Sequence, residues 1–148
     1  MKSCSWSYDG VRYWDKIEFR VDKDINFHGL CLFGSENNTY KIITLEIKDS
    51  SNNSTLKSVA GTYSSHLLKC EPDYDYYGFE VLFNPPANIK KNCRYKIRLL
   101  MTGPKSGKGC KGSESVKVTG TGVTFTFLTV NSAKLVTVGQ FPELLFCL

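Results

Sequence analysis

Histidine is scarce in this chain of 148 residues: His28 and His66 are the only two. The side chain most often used for proton transfer and metal ligation is therefore missing from nearly every position. No Gly-x-Ser-x-Gly nucleophile elbow and no His-Glu-x-x-His zinc motif occur. The six cysteines, Cys4, Cys31, Cys70, Cys93, Cys110 and Cys147, include no Cys-x-x-Cys pair and no Cys-x-x-x-His, so a zinc site has little support. A catalytic Cys–His pair is arithmetically possible, but nothing in the spacing says that one meets. His28 abuts an apolar strand and reads as a satisfied structural residue. No catalytic residue, cofactor or metal ligand is expected.

Long apolar runs are also missing. None approaches the ~20 residues of a helical membrane span, so no membrane insertion is expected. The opening Met1-Lys2-Ser3-Cys4-Ser5-Trp6 lacks the apolar stretch of a signal peptide. The expectation is an intracellular, cytoplasmic chain, or equally a piece of a longer protein. In that setting free thiols are the default, with Cys31 packing as a small hydrophobe inside an apolar run. The sequons at Asn37, Asn52 and Asn53 then count as loop residues. Helical periodicity hardly appears, and no linker, repeat or low-complexity block divides the chain. One domain over residues 1–148 is expected.

What is present is a globular composition, 41% hydrophobic and 13% aromatic. The net charge of +5 is mild and its lysines and arginines are scattered, which suits solubility and gives no footprint for nucleic acid. Period-2 alternation recurs. Ile17, Phe19 and Val21 point one way. Gly29-Leu30-Cys31-Leu32-Phe33-Gly34 reads as a strand covered on both faces. Ile43, Leu45 and Ile47 share a face, as do Phe79, Val81 and Phe83. Asn84-Pro85-Pro86 should stop that last strand, because proline cannot donate to a ladder. Val59 to Ser65 reads as a weaker strand. Gly120-Thr121-Gly122 fits a hairpin turn between Ser115 to Thr119 and Val123 to Phe127. About ten short strands at this spacing predict an all-β, antiparallel β-sandwich with long connecting loops.

The strand Tyr95 to Met101 has Tyr95, Ile97, Leu99 and Met101 on one side and Lys96 and Arg98 on the other. It runs into the loop Thr102-Gly103-Pro104-Lys105-Ser106-Gly107-Lys108-Gly109-Cys110-Lys111-Gly112. Gly107 to Gly112 spells Gly-x-Gly-x-x-Gly, but a strand follows where a dinucleotide site needs a helix. From Gly103 a phosphate loop is one residue short, and Gly109 stands in place of its Ser or Thr. The loop is therefore a glycine-rich turn or a partner contact, with Lys105, Lys108 and Lys111 offering charge. Glu71-Pro72-Asp73-Tyr74-Asp75-Tyr76-Tyr77-Gly78 starts like a calcium loop but lacks the later ligands. Its alternation suits a contact surface of Tyr74, Tyr76 and Tyr77, or a solubilised edge strand or loop. Trp6, Tyr8, Tyr13 and Trp14 pose the same choice, with at least one tryptophan in the core.

Taken together these pieces resemble a PHR domain. This module occurs in the Pam/Highwire class of giant RING ubiquitin ligases and singly in BTB adaptor proteins. Trp6-Ser7-Tyr8 resembles the family's opening, and Ile17 to Asp22 its first long strand. Gly29 to Gly34 is similar to its glycine-flanked apolar strand. Phe79 to Phe83, followed by Pro85 and Ile89, matches the middle. Gly103-Pro104, Gly109 and Gly112 match its loop, and Val123 to Phe127 a late strand. Gly139-Gln140-Phe141-Pro142-Glu143-Leu144-Leu145-Phe146 matches its close and is the most specific piece. Asn131-Ser132-Ala133-Lys134 departs from the usual Asn-Gly-Thr turn. Residues that the family has before the tryptophan are cut short by Met1, implying a domain excised from a longer protein. The resemblance implies a β-sandwich that recognises a protein substrate or regulatory partner in ubiquitin ligation, with catalysis by a RING elsewhere and a cytoplasmic, neuronal setting. The ligase class is favoured over the BTB adaptor. A glycan- or small-ligand-binding sandwich is the alternative that exposed tryptophans would suit.

Overall fold

The computed structural model describes residues 2–4, 13–70, 74–104, 108–110, 115–128 and 141–148. Its strands are β1 Lys2–Cys4, β2 Tyr13–Val21, β3 Ile25–Phe33, β4 Thr39–Asp49, β5 Thr55–Ser64, β6 His66–Cys70, β7 Tyr74–Ile89, β8 Tyr95–Thr102, β9 Lys108–Cys110, β10 Ser115–Val118, β11 Val123–Leu128 and β12 Glu143–Cys147. No helix occurs among the described residues. Six strands form one sheet in the order β10-β11-β2-β8-β4-β5, four form a second in the order β12-β3-β7-β6, and β1 pairs separately with β9. Every pairing is antiparallel. The two sheets face one another without closing into a barrel, so the fold is the β-sandwich that the alternation predicts. Connections inside the described residues are short, from Ser65 alone to residues 50–54. The long loop expected over Thr102 to Gly112 is described only in part, and residues 5–12 and 129–140 lie outside the described residues.

Alternation fills the space between the sheets. Phe19 and Val21 of β2, Tyr95, Ile97, Leu99 and Met101 of β8, and Phe79, Val81 and Phe83 of β7 are all buried, while Ile17 packs partly buried against them. Phe19 sits among Phe27, Tyr95 and Phe125, with ring centroids 6.0, 6.1 and 5.8 Å away. Burying a side chain of this size contributes on the order of 1.5–3 kcal/mol. On the outer face of β8, Arg98 reaches Glu46 of β4 at 3.2 Å.

Two of the register shifts bear directly on the expected alternation. The β4 register shifts between Ile42 and Thr44 against β8, and between Ile42 and Leu45 against β5. An extra residue reverses the facing of all that follows. Tyr40 and Ile42 are therefore inward before the bulge and Leu45 and Ile47 after it, whereas Ile43, expected inward, is only half-buried. The second shift lies between Phe27 and Gly29 of β3, opposite the segment between Ala87 and Leu82 of β7. The prolines Pro85 and Pro86 fall in this segment, where no regular pairing with β3 is required of them. That is why β7 runs through to Ile89 instead of stopping at Asn84. The bulge also lets Gly29 take φ +152° against β7.

The described part of the segment after Glu71 begins β7, an inner strand of its sheet. β6, unmarked in the sequence pattern, pairs with Tyr74 to Gly78 on the outer side, and Gly78 pairs with Phe33 of β3. Gly120 and Gly122 take φ +85° and +71° in the predicted hairpin, closed by the Val118–Val123 pair.

Candidate functional site

One end of the sandwich carries described residues from both stretches that the sequence singles out, Tyr77 from one and Gly103 from the other. The β3–β4 turn, residues 34–38, is the hinge of this end. Gly34 N–H donates to the Tyr77 carbonyl at 2.8 Å. Tyr77 faces Leu67 across the β6–β7 ladder, and both are exposed, at 36% and 48%. A cross-strand aromatic–aliphatic pair normally gains by burial, so its exposure marks a surface able to be covered. Glu36, on the turn, lies beside the Tyr77 hydroxyl and its carboxylate holds the phenol above the ordinary 10.0. The start of the glycine-rich loop lies against Tyr40 of β4, the strand that follows this turn. Gly103 lies against the Tyr40 ring, where an added Cβ would stand 2.6 Å from Tyr40 Cδ1. The Tyr40 and Ser35 hydroxyls are hydrogen-bonded at 2.7 Å.

The six expected contact residues separate. Tyr77 is at the surface. Tyr76 is not: it is 4% exposed and packs edge-on to Phe33 at 5.1 Å in a small cluster with Cys31. Successive residues of a strand point to opposite faces, so Tyr76 and Tyr77 cannot share one surface. The Tyr76 hydroxyl donates to Glu143 Oε2 at 3.1 Å. Burial raises its phenol far above the ordinary 10.0, with neighbouring Cys31 and Glu143 acting in the same direction. Tyr74 begins β7 in register with Cys70, and Lys108 begins β9 in register with Cys4. Lys105 and Lys111 lie outside the described residues, as do Glu71, Asp73, Trp6 and Tyr8.

The opposite end holds a groove of about 630 Å³ lined by Asn26 and His28 of β3, Lys57 of β5, Pro86 and Asn88 of β7, and Cys147 of β12. His28 Nε2 lies 3.0 Å from Cys147 Sγ. These two residues are 119 positions apart, so no local spacing could announce them. His28 does have a partner, as expected, but it is half-buried at the groove and outside the core. Cys31, Cys93 and Cys147 are free thiols, and Cys31 is buried as expected of a small hydrophobe. Burial and the nearby Glu143 push the Cys31 thiol up to about 12.

The closing motif has a structural role on this fold. Phe141 is buried, and Leu144 and Phe146 of β12 pack on the core, Phe146 5.1 Å from Phe125. Gly139 and Gln140 lie outside the described residues. No curated protein matches the chain. The family model of the PHR domain matches residues 1–147. With a match over nearly its whole length and a β-sandwich whose last strand is sealed by Phe141, Leu144 and Phe146, the chain belongs to the PHR domain family.

Proposed function

We propose that this PHR domain is the protein-recognition module of a ubiquitin ligase of the Pam/Highwire class, working in the cytoplasm, and that it binds a substrate or regulatory partner. The exposed Leu67–Tyr77 pair beside Glu36 carries the reading. A tyrosine and a leucine held on paired strands offer contact area at little entropic cost, and Glu36 adds a charge that selects among partners. Gly103, where the glycine-rich loop starts, lies against the Tyr40 ring near this end, and Lys105, Lys108 and Lys111 are the charges which that loop carries in sequence. Ubiquitin transfer in this reading belongs to another part of the ligase.

The test is a pull-down from cytosol with the intact domain, a Leu67→Glu/Tyr77→Ala variant, and a variant with all three lysines changed to alanine. Loss of the same partner in both variants, with melting unchanged, supports one continuous surface. Undiminished recovery in both removes this end from the recognition site. A captured partner with no link to ubiquitin transfer counts against the ligase class.

A further inference from the structure

The His28–Cys147 groove has no part in the recognition surface, which lies at the other end of the sandwich. We propose that Cys147 and His28 form an assisted nucleophilic thiol, a covalent modification site for soft electrophiles of the α,β-unsaturated carbonyl class. Three observations meet here. Cys147 is an exposed free thiol. The imidazole nitrogen of His28 is 3.0 Å from its sulfur, the arrangement in which an imidazole serves as base to a thiol. The pair opens on a groove of about 630 Å³, room for an organic electrophile, with Lys57, Asn26 and Asn88 on its walls.

The fold explains why the two groups meet. Cys147 pairs in register with Asn26. The register shift at His28 of β3, where β7 carries the extra residues Phe83 to Pro86, and the shift between Leu145 and Phe146 of β12 adjust the strands at this point. Among the described residues that line the groove, the titratable and charged groups are His28 from β3 and Lys57 from β5; β7 contributes the uncharged Pro85, Pro86, Ala87 and Asn88. Lys57 and the side-chain amides of Asn26 and Asn88 supply donors for the developing oxygen anion of a carbonyl acceptor.

The step is a conjugate addition and needs no oxidant. His28 Nε2 takes the thiol proton as the Cys147 sulfur attacks the β-carbon. The S–C bond forms, the C=C π pair shifts toward the carbonyl oxygen, and the resulting enolate takes its α-carbon proton back from the imidazolium or from water. The product is a thioether, and His28 returns to its neutral form.

The experiment measures acrylamide addition to each cysteine of the folded domain by peptide mass spectrometry. Cys93, exposed and far along the chain, is the reference within the same molecule. Cys147 is expected to react about tenfold faster than Cys93 near pH 7, the size of effect that a neighbouring imidazole gives a thiol. The advantage shrinks toward parity near pH 9.5, where hydroxide replaces the imidazole as the base for either thiol. In His28→Asn the ratio near pH 7 falls to about that seen at high pH, with the same melting temperature. A ratio that is equal at the two pH values reports mere accessibility and overturns the proposal, as does an unchanged ratio in His28→Asn. Should that variant melt early, the wild-type comparison between the two pH values decides alone.

Discussion

Replacing Gly29 with alanine tests the bulge that shapes the four-stranded sheet. An alanine Cβ here would stand 2.1 Å from the Val81 carbonyl oxygen and 2.9 Å from Leu82 Cα. Both are backbone atoms of β7, so no rotamer change relieves the contact. The φ of +152° adds a conformational penalty of its own. Strained backbone costs about 1–3 kcal/mol and overpacking a similar amount, giving roughly 4 kcal/mol together. That is a large fraction of the ~5–15 kcal/mol that holds a domain folded. For a domain of this size it lowers the melting temperature by roughly 10 °C. Two controls separate the causes. Gly120→Ala, at φ +85° with nothing within 4 Å, carries strain without a clash. Gly78→Ala puts a Cβ 2.2 Å from the Leu32 carbonyl oxygen without a positive φ. Urea unfolding followed by circular dichroism gives the three losses directly. Gly29→Ala should lose the most. If it loses no more than Gly120→Ala, the close approach of β3 to β7 does not constrain the fold.

Three further outcomes follow. Phe19→Ala, at 0% exposure among three rings, should cost about 3–5 kcal/mol by urea unfolding. Tyr76→Phe removes the donor to Glu143 and should cost about 1.5–3 kcal/mol, whereas Tyr77→Phe should leave the urea midpoint unchanged. Alkaline pH should destabilise the domain, because burial raises Cys31 from 9.0 to about 12 and raises Tyr76 as well. The unfolded chain releases these protons at lower pH than the folded one, so their contribution is full below about pH 9 and is lost as pH climbs toward 12. Urea midpoints measured across that window should fall, and Cys31→Ala should flatten the decline.

The β-sandwich is legible wherever two-residue alternation is unbroken. Phe19 and Val21, the Tyr95 to Met101 strand and the Phe79 to Phe83 strand all face as their spacing demands. Alternation is a local property, and a bulge is not written in it. Nothing about Ile42-Ile43-Thr44 says which isoleucine turns inward; the register against β5 and β8 decides. Pro85 and Pro86 mark a strand end only when the neighbouring strand stays in step, and here β3 shifts beside them. Tyr76 looked like a surface residue because its neighbours are acidic and aromatic, yet the ladder to β6 places it on a covered face. The exposed Leu67 belongs to β6, a strand too short and mixed to stand out.

The sequence by itself determined the class of fold, the family and most of the core, because alternation and an ordered set of motifs survive without knowledge of distant contacts. Tertiary structure alone decided which tyrosine meets solvent, that Gly103 lies against the Tyr40 ring, and that His28 lies against Cys147. Each of these depends on residues far apart in the chain meeting through strand register, and register is fixed by how the two sheets pack and where they bulge.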